Sequence, residues 1–159
     1  MNMKTCGIIT EYNPFHQGHI YHIKKTKELT QCDCLIAIVS NHFTQRGLFS
    51  LLTMEDKTKL ALEAGCNLVI ELPPCYAAQS ADYFAKYAVE SLSQLHIDQI
   101  CFGSETNNIS TLKEYSKQME STQVVPSLSM NQNLYTKNIR PNDILGIQYI
   151  KQCEKYGIT

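Results

Sequence analysis

Two histidines with a glycine between them stand where a short apolar segment gives way to a helical pattern. His16 and His19 are separated by a spacing of three, Gly18 lies between them, and the apolar segment Cys6–Thr10 precedes them. Imidazoles can donate hydrogen bonds to phosphate oxygens where negative charge develops. A helix N-terminus offers free N–H groups and a positive dipole end, and Gly18 lets a backbone approach closely. The pattern therefore predicts nucleotidyl transfer at an α-phosphate, with pyrophosphate leaving.

Two other interpretations of these histidines stay open at this point. His16, His19 and His22 recur every three residues and form a candidate metal site, although no Cys or carboxylate nearby completes a ligand set. They can equally be ordinary, partly exposed histidines. His22 by itself suits a helix surface or a packing position, and we expect His96 to be structural.

Three further polar clusters follow apolar segments. Arg46, in Ser40–Gly47, can hold a phosphate or carboxylate with two parallel hydrogen bonds, unless it is a solvated loop arginine. Glu71 stands in an apolar segment and needs a partner there. Gly103, in Phe102–Glu105, can let an adenine or ribose lie against the backbone, unless it only marks a turn. Because ligands of open α/β sheets bind beyond the carboxyl ends of the strands, we expect these clusters to share one sheet edge.

Four apolar segments must form the sheet that positions these side chains. They are nearly continuous in apolar residues, which is typical of parallel strands covered on both faces. Helical periodicity separates them, so the βαβα order predicts a parallel sheet with right-handed crossovers. The predicted strands are Cys6–Thr10, Cys34–Ser40, Asn67–Pro73 and Gln99–Ser104, and the predicted helices among and after them are His19–Leu29, Met54–Ala64, Ser80–Leu95 and Ile109–Met119.

The pattern changes in the last third of the chain. Residues 121–138 are rich in Ser, Gln, Asn and Thr and are predicted to form a polar linker. Pro141 then opens a final helix, predicted over Asn142–Tyr156. Earlier in the chain, Thr53 and Gly65 are suitable N- and C-caps for the predicted second helix.

Composition excludes several classes of protein. The 159 residues suit one domain, and 43% hydrophobic residues suffice for a core. A net charge of -1 excludes a strongly basic domain that coats nucleic acid by charge alone. Seven cysteines without a CxxC pair argue against a disulfide framework or zinc knuckle, so we expect reduced thiols in a cytoplasmic protein. No apolar segment is long enough for a signal peptide or membrane span, so we expect no membrane partner.

The motif and its surroundings resemble a known family. His16 to His19 have the form HxGH and resemble the signature of nucleotidylyltransferases and class I aminoacyl-tRNA synthetases. Over a longer range, most of residues 4–105 and a patch near 141–150 resemble the bacterial tRNA(Met) cytidine acetate ligases. The segments that carry this resemblance are Gly7–His22, Ser40–Gly47, Leu60–Gly65, Leu68–Pro73, Phe102–Glu105 and Pro141–Gly146.

The resemblance implies a fold and a reaction. The fold would be a Rossmann-like (HUP-type) parallel sheet flanked by helices. The enzyme would activate acetate with ATP to acetyl-adenylate and would pass the acetyl group to the wobble cytidine of elongator tRNA(Met). We expect Mg²⁺ to accompany the ATP phosphates and expect no metal held by the protein itself. The family continues past the equivalent of Thr159, which would make this chain a truncated form, a fragment or a reduced relative.

The same resemblance implies a site and a division of the chain. Residues 1–120 would form the nucleotidyltransferase-like domain and 121–138 the linker, and the helix in 139–159 would complete the nucleotide site. The catalytic residues, predicted above from the residue types and their spacing, are His16, His19 and Arg46. The implied ATP-binding residues are Ile9, Thr10, Glu11, Tyr12, Asn13, Pro14, Phe15, His16, Gln17, Gly18, His19, Ile20, Tyr21, His22, Gly103 and Asn142.

Two alternative functions belong to other classes. A small-metabolite adenylyltransferase of the same superfamily would transfer a nucleotide without acetate or tRNA. A nucleotide-binding remnant without catalysis would fit Met54, which stands where the family has a lysine, but not the intact Glu11–His22 segment. Few cations cluster beyond Lys24, Lys25 and Lys27, so we expect this chain alone to bind tRNA weakly.

Overall fold

A parallel sheet of four strands forms the centre of the protein, in the order β3-β2-β1-β4. The computed structural model describes residues 3–120 and 139–159, with side chains for 3–118 and 139–159. β1 pairs with β2 from Thr5 opposite Cys34 to Thr10 opposite Val39. The expected Rossmann-like parallel sheet is therefore confirmed. The strands are β1 (Thr5–Thr10), β2 (Cys34–Ser40), β3 (Leu68–Leu72) and β4 (Gln99–Ile100).

Helices cover both faces of this sheet. Leu35 of β2 packs with residues of α1 and α2, whereas the next residue, Ile36, packs with residues of α4 and α6. Successive side chains of a strand point to opposite faces, so β2 needs apolar residues at nearly every position. The helices are α1 (Gln17–Thr30), α2 (Met54–Ala64), α3 (Pro74–Ala77), α4 (Ala81–Ser93), α5 (Ile109–Glu120) and α6 (Pro141–Tyr156).

The two outer strands differ from the prediction. Among the described residues, β3 pairs only with β2 and is therefore an edge strand. Leu68 at its start is 42% exposed, whereas Val69 and Ile70 pack against the two different core clusters of the sheet. β4 is shorter than the predicted Gln99–Ser104. After Ile100, the backbone N–H of Cys101 donates to the carbonyl of Gly7, and the chain then leaves the sheet toward α5.

Most helices begin and end close to the residues predicted from local sequence signals. The predicted caps of α2 are confirmed, because the Thr53 side chain accepts from the backbone N–H of Asp56 and Gly65 takes a left-handed conformation. α5 and α6 lie where they were predicted, and α6 begins at Pro141. α1 begins at Gln17, before the predicted His19. The short helix α3 was not predicted.

The remaining expectations concern the polar linker and membrane-spanning segments. The predicted linker over residues 121–138 lies outside the described residues. In the part of the chain that the structure describes, no helix combines the length and the apolar character that a membrane crossing requires.

Candidate functional site

A cleft of about 880 Å³ opens beyond the carboxyl ends of β1 and β2. The turn after β1 and the start of α1 form one side, and the loop after β2 forms another. Residues after β4 and the first turns of α6 form the opposite wall. The clusters around the histidines, Arg46 and Gly103 are thus brought together as predicted. The predicted site residues that line the cleft are Ile9, Thr10, Glu11, Tyr12, Asn13, His16, His19, His22, Arg46, Gly103 and Asn142.

His16 and His19 cap the start of α1 with their own side chains. Nδ1 of His16 accepts a hydrogen bond from the backbone N–H of Gly18 at 3.0 Å, and Nδ1 of His19 accepts from the backbone N–H of His16 at 3.2 Å. The rings stack with their centroids 4.0 Å apart. A nitrogen that accepts an N–H bond carries no proton, so each neutral ring holds its proton on Nε2. Both Nε2–H groups remain to donate to a ligand in the cleft.

The surroundings of His19 favour its neutral form. Burial lowers the pKa of this imidazole from its ordinary 6.5 to about 4, and the neighbouring His16 and His22 lower it as well. Tyr12 packs edge-on against the His19 ring at 4.9 Å between centroids, and Phe15 lies 5.6 Å away. At neutral pH, His19 therefore acts as a hydrogen-bond donor of fixed tautomer rather than as a cation.

Gly18 leaves room for the His16 ring, rather than for the close approach of a backbone that was predicted. A Cβ at this position would lie 2.8 Å from Cε1 of His16, so a side chain there would displace the imidazole. Two of the backbone N–H groups that were expected to be free at the start of α1 already donate hydrogen bonds within the protein. The N–H of Gly18 is bound by the His16 side chain, and that of His19 by the His16 carbonyl.

The loop after β2 is tied to the turn after β1. The carboxylate of Glu11 accepts the backbone N–H of Gln45. The Asn13 side chain accepts from the N–H of Leu51 at 2.6 Å and donates to the carbonyl of Phe49 at 3.2 Å. These bonds hold Arg46 at the cleft with its side chain exposed. Within residues 3–118 and 139–159, no hydrogen bond or ion pair engages its guanidinium, so it can meet an anionic ligand.

The opposite wall is held by a reciprocal clasp. The carboxylate of Glu105 accepts the backbone N–H groups of Asp143, at 3.0 Å, and Asn142, at 3.4 Å. In return, the buried carboxylate of Asp143 accepts the backbone N–H and the hydroxyl of Thr106, at 3.0 and 2.7 Å. The clasp fixes Asn142 at this wall, and no atom of the described residues lies within 4 Å of a Cβ placed at Gly103. This wall therefore has free space directly against the backbone.

Tyr149 belongs to the site and was missed from the sequence. It is 5% exposed and lines the cleft, and burial raises the pKa of its hydroxyl, with Glu11 adding to the shift. Asn142, Leu145 and Tyr149 all line the cleft at spacings of three and four along α6. This helical spacing from Asn142 was the available signal.

Some predicted residues do not line the cleft. Phe15 instead packs on Tyr12, with centroids 4.8 Å apart, and Tyr21 is 67% exposed on α1. Glu71 lies outside the cleft too. Its position on β3 is exposed, and Nδ2 of Asn41 donates to its carboxylate at 2.8 Å. The predicted ATP-binding residues that do not line the cleft are Pro14, Phe15, Gln17, Gly18, Ile20 and Tyr21.

Among the described residues, the three histidines are not arranged as a metal site. Nδ1 atoms of His16 and His19 are engaged by backbone N–H groups, and the His22 Nε2 atom is buried. Across the described ranges 3–118 and 139–159, no three His, Cys, Asp or Glu side chains are placed to hold a metal ion. The histidines therefore act here as capping and donor groups.

Known proteins are similar to this chain in sequence and in fold. The chain is 41% identical to a tRNA(Met) cytidine acetate ligase from a Geobacillus species over 94% of its own length, which spans 42% of that relative. It is 41% identical to one from Clostridium novyi over 99% of its length, which spans 46% of that relative. The chain thus spans less than half of each of these relatives.

A solved structure and a family model agree with these matches. TmcAL from Thermotoga maritima, crystallised with alpha-thio ATP bound, superposes with a TM-score of 0.81 at 30% sequence identity. The superposition covers 98% of this chain and 44% of that protein. The model of the HIGH Nucleotidyl Transferase family matches residues 3–159. The chain belongs to the HIGH nucleotidyl transferase family.

Proposed function

We propose that the chain activates acetate with ATP and takes part in acetylating the wobble cytidine of elongator tRNA(Met). The observation that carries this proposal is the stacked pair of His16 and His19, whose Nδ1 atoms accept backbone N–H groups and whose Nε2 atoms are left for a ligand in the cleft that Arg46 also lines. The names of the relatives support acetate and tRNA(Met) as substrates, and the bound alpha-thio ATP of the neighbour supports a nucleotide in this cleft.

The first step would form acetyl-adenylate. An oxygen of acetate attacks the α-phosphorus of ATP, the bond to the bridging oxygen breaks, and pyrophosphate leaves with the electron pair. His16 and His19 donate to phosphate oxygens as their charge develops. Arg46 binds the departing phosphates. Mg²⁺ would arrive on the ATP phosphates as part of the substrate and offset their charge.

The opposite wall of the cleft would hold the nucleoside. Gly103 leaves room for a ring or ribose against the backbone, and Asn142 offers an amide at the first turn of α6. In this proposal residues 139–159 complete the nucleotide site. The ATP-binding set would then be those residues of Ile9–His22 that line the cleft, with Gly103 and Asn142.

The second step would transfer the acetyl group. The exocyclic amine of cytidine attacks the acetyl carbonyl, AMP leaves, and the amine loses a proton. We propose elongator tRNA(Met) as acceptor because the relatives are named for it. The net charge of -1 indicates that this chain contributes little of the phosphate binding that holds a tRNA.

ATP–pyrophosphate exchange with and without acetate tests the first step. We expect exchange that requires acetate and is lost in His19→Ala. The matched control is His96→Asn, since His96 is exposed outside the cleft and asparagine tolerates its positive φ of 52°. Exchange that requires a phosphorylated metabolite instead of acetate would favour the small-metabolite adenylyltransferase. Nucleotide binding without any exchange would favour the non-catalytic remnant.

A further inference from the structure

A buried lysine lies behind the cleft. Lys57 of α2 is 1% exposed, although lysine is almost never fully buried unless it is paired. Its Nζ donates to the carbonyl oxygens of Ser40, at 2.7 Å, and Asn41, at 3.1 Å. Ser40 ends β2, and Asn41 begins the loop that carries Arg46. Lys57 does not line the cleft, so it can affect a ligand only through other residues.

The lysine is also linked to this loop through a carboxylate. Burial lowers the pKa of Lys57, whereas the charge of Glu11 raises it. Glu11 lines the cleft and accepts the backbone N–H of Gln45, which precedes Arg46. Lys57 therefore binds the start of the loop directly and lies in the field of the carboxylate that holds its middle.

Packing alone does not account for a cation at this position. Burying a charge is costly, and apolar residues of similar volume often replace buried ions at no loss of stability. A charge here has a separate consequence, because Glu11 would otherwise place an unbalanced negative charge in the cleft proposed to receive a triphosphate. The charge of Lys57 offsets it without occupying the cleft.

We propose that Lys57 is a positioning residue for the reaction in this cleft. It fixes the Ser40 and Asn41 carbonyls and balances Glu11, and so holds Gln45 and Arg46 against the phosphates of ATP. This proposal rests on the proposed function for its kinetic consequence. Its structural consequence, the ordering of the loop over residues 41–50, does not depend on the reaction.

Three variants test the proposal by ATP–pyrophosphate exchange. Lys57→Met removes the charge at similar volume, Lys57→Arg keeps it, and Lys59→Met makes the same change at an exposed position of α2. We expect Lys57→Met to lower kcat/KM for ATP roughly 10- to 100-fold, mostly through kcat, since misplaced catalytic groups cost about that much. Lys57→Arg should recover most of the loss, with the KM for acetate unchanged throughout. Lys59→Met should match the parent protein.

Hydrogen–deuterium exchange supplies a readout that needs no activity. We expect faster uptake in residues 41–50 of Lys57→Met, with uptake in the core strand β1 unchanged. The proposal is overturned if Lys57→Met matches Lys59→Met in both rate and uptake. It is also overturned if uptake rises throughout the chain and Lys57→Arg is equally impaired, because that result marks a purely structural residue. If the parent protein shows no pyrophosphate exchange, the proposed function fails, and uptake still decides whether Lys57 orders the loop.

Discussion

The carboxylate of Glu105 accepts the backbone N–H of Asp143 at 3.0 Å, and Asp143 binds back to Thr106, the residue after Glu105. Each carboxylate thus satisfies donors on the other segment. The bond from Glu105 also occupies the N-terminus of α6, so a nucleotide phosphate would not find those N–H groups free. The wall that carries Asn142 is held by charge-assisted bonds between segments far apart in sequence.

Asp143→Ala should destabilise the protein and loosen this wall. Removal of the buried carboxylate leaves the Thr106 donors unsatisfied, which costs about 1–3 kcal/mol of the free energy of unfolding. Urea denaturation measures this loss, and ATP binding should weaken as Asn142 loses its support. Glu114→Gln, at an exposed position of α5, is the control. Unchanged stability in Asp143→Ala would show that the clasp contributes nothing.

Gly18→Ala should separate stability from activity. Alanine favours a helix interior over glycine by roughly 0.5–1 kcal/mol. The variant also loses the cap that the His16 side chain gives to the N–H of residue 18, which is worth about 0.5–2 kcal/mol, so the unfolding midpoint should change little. Its Cβ would lie 2.8 Å from Cε1 of His16 and must displace that imidazole, so pyrophosphate exchange should fall. Thermal unfolding and exchange kinetics on the same preparation check both halves. Full activity in this variant would mean that the placement of His16 is not required.

Gly103→Ala provides the contrasting case. A Cβ at Gly103 has no atom of residues 3–118 or 139–159 within 4 Å, so stability should not change, whereas the methyl group would enter the space proposed for the nucleoside. We expect a higher KM for ATP with the unfolding midpoint of the parent protein. Calorimetric titration with ATP measures the change, and an unaltered affinity would place the nucleoside elsewhere in the cleft.

Stability should fall as the pH falls from about 6.5 toward 4. The folded state lowers the pKa of His19 to about 4, so the unfolded chain binds more protons in this range and acid favours unfolding. Burial lowers the pKa of His22 in the same direction. The contribution of His19 to the free energy of unfolding is complete above the ordinary imidazole pKa of 6.5. It is lost progressively as the pH falls toward the folded-state pKa of about 4. The free energy of unfolding, measured with urea at about pH 7 and at about pH 5, should differ less between the two pH values for His19→Gln than for the parent protein. An equal difference in both would remove His19 as the cause.

Binding of tRNA by the isolated chain should be weak and only slightly dependent on salt. The net charge is -1, and Lys25, in the most evident basic cluster, already pairs with Glu28 at 2.7 Å. The salt slope reports the number of phosphates contacted, so a shallow slope is expected. Filter binding of elongator tRNA(Met) over a range of salt concentrations measures both quantities. Tight, steeply salt-dependent binding would contradict this expectation.

Sequence reasoning identified the features that depend on neighbours along the chain. The spacing of His16 and His19 placed both rings at the start of one helix, and Thr53 and Gly65 marked the ends of α2, because these contacts span a few residues. The nearly continuous apolar run of β2 predicted a strand covered on both faces, because side chains alternate between the faces of a sheet. These local patterns were sufficient to predict the class of fold.

The tertiary structure decided what depends on strand order and on distant contacts. Local sequence did not show that β3 is an edge strand, because this depends on which strands pair. The chain alone also did not reveal that Gly18 makes room for a ring, that Glu105 and Asp143 clasp, or that Lys57 is buried beneath the Arg46 loop. The last two relationships join residues far apart in sequence, and their position is fixed only when the helices pack against the completed sheet.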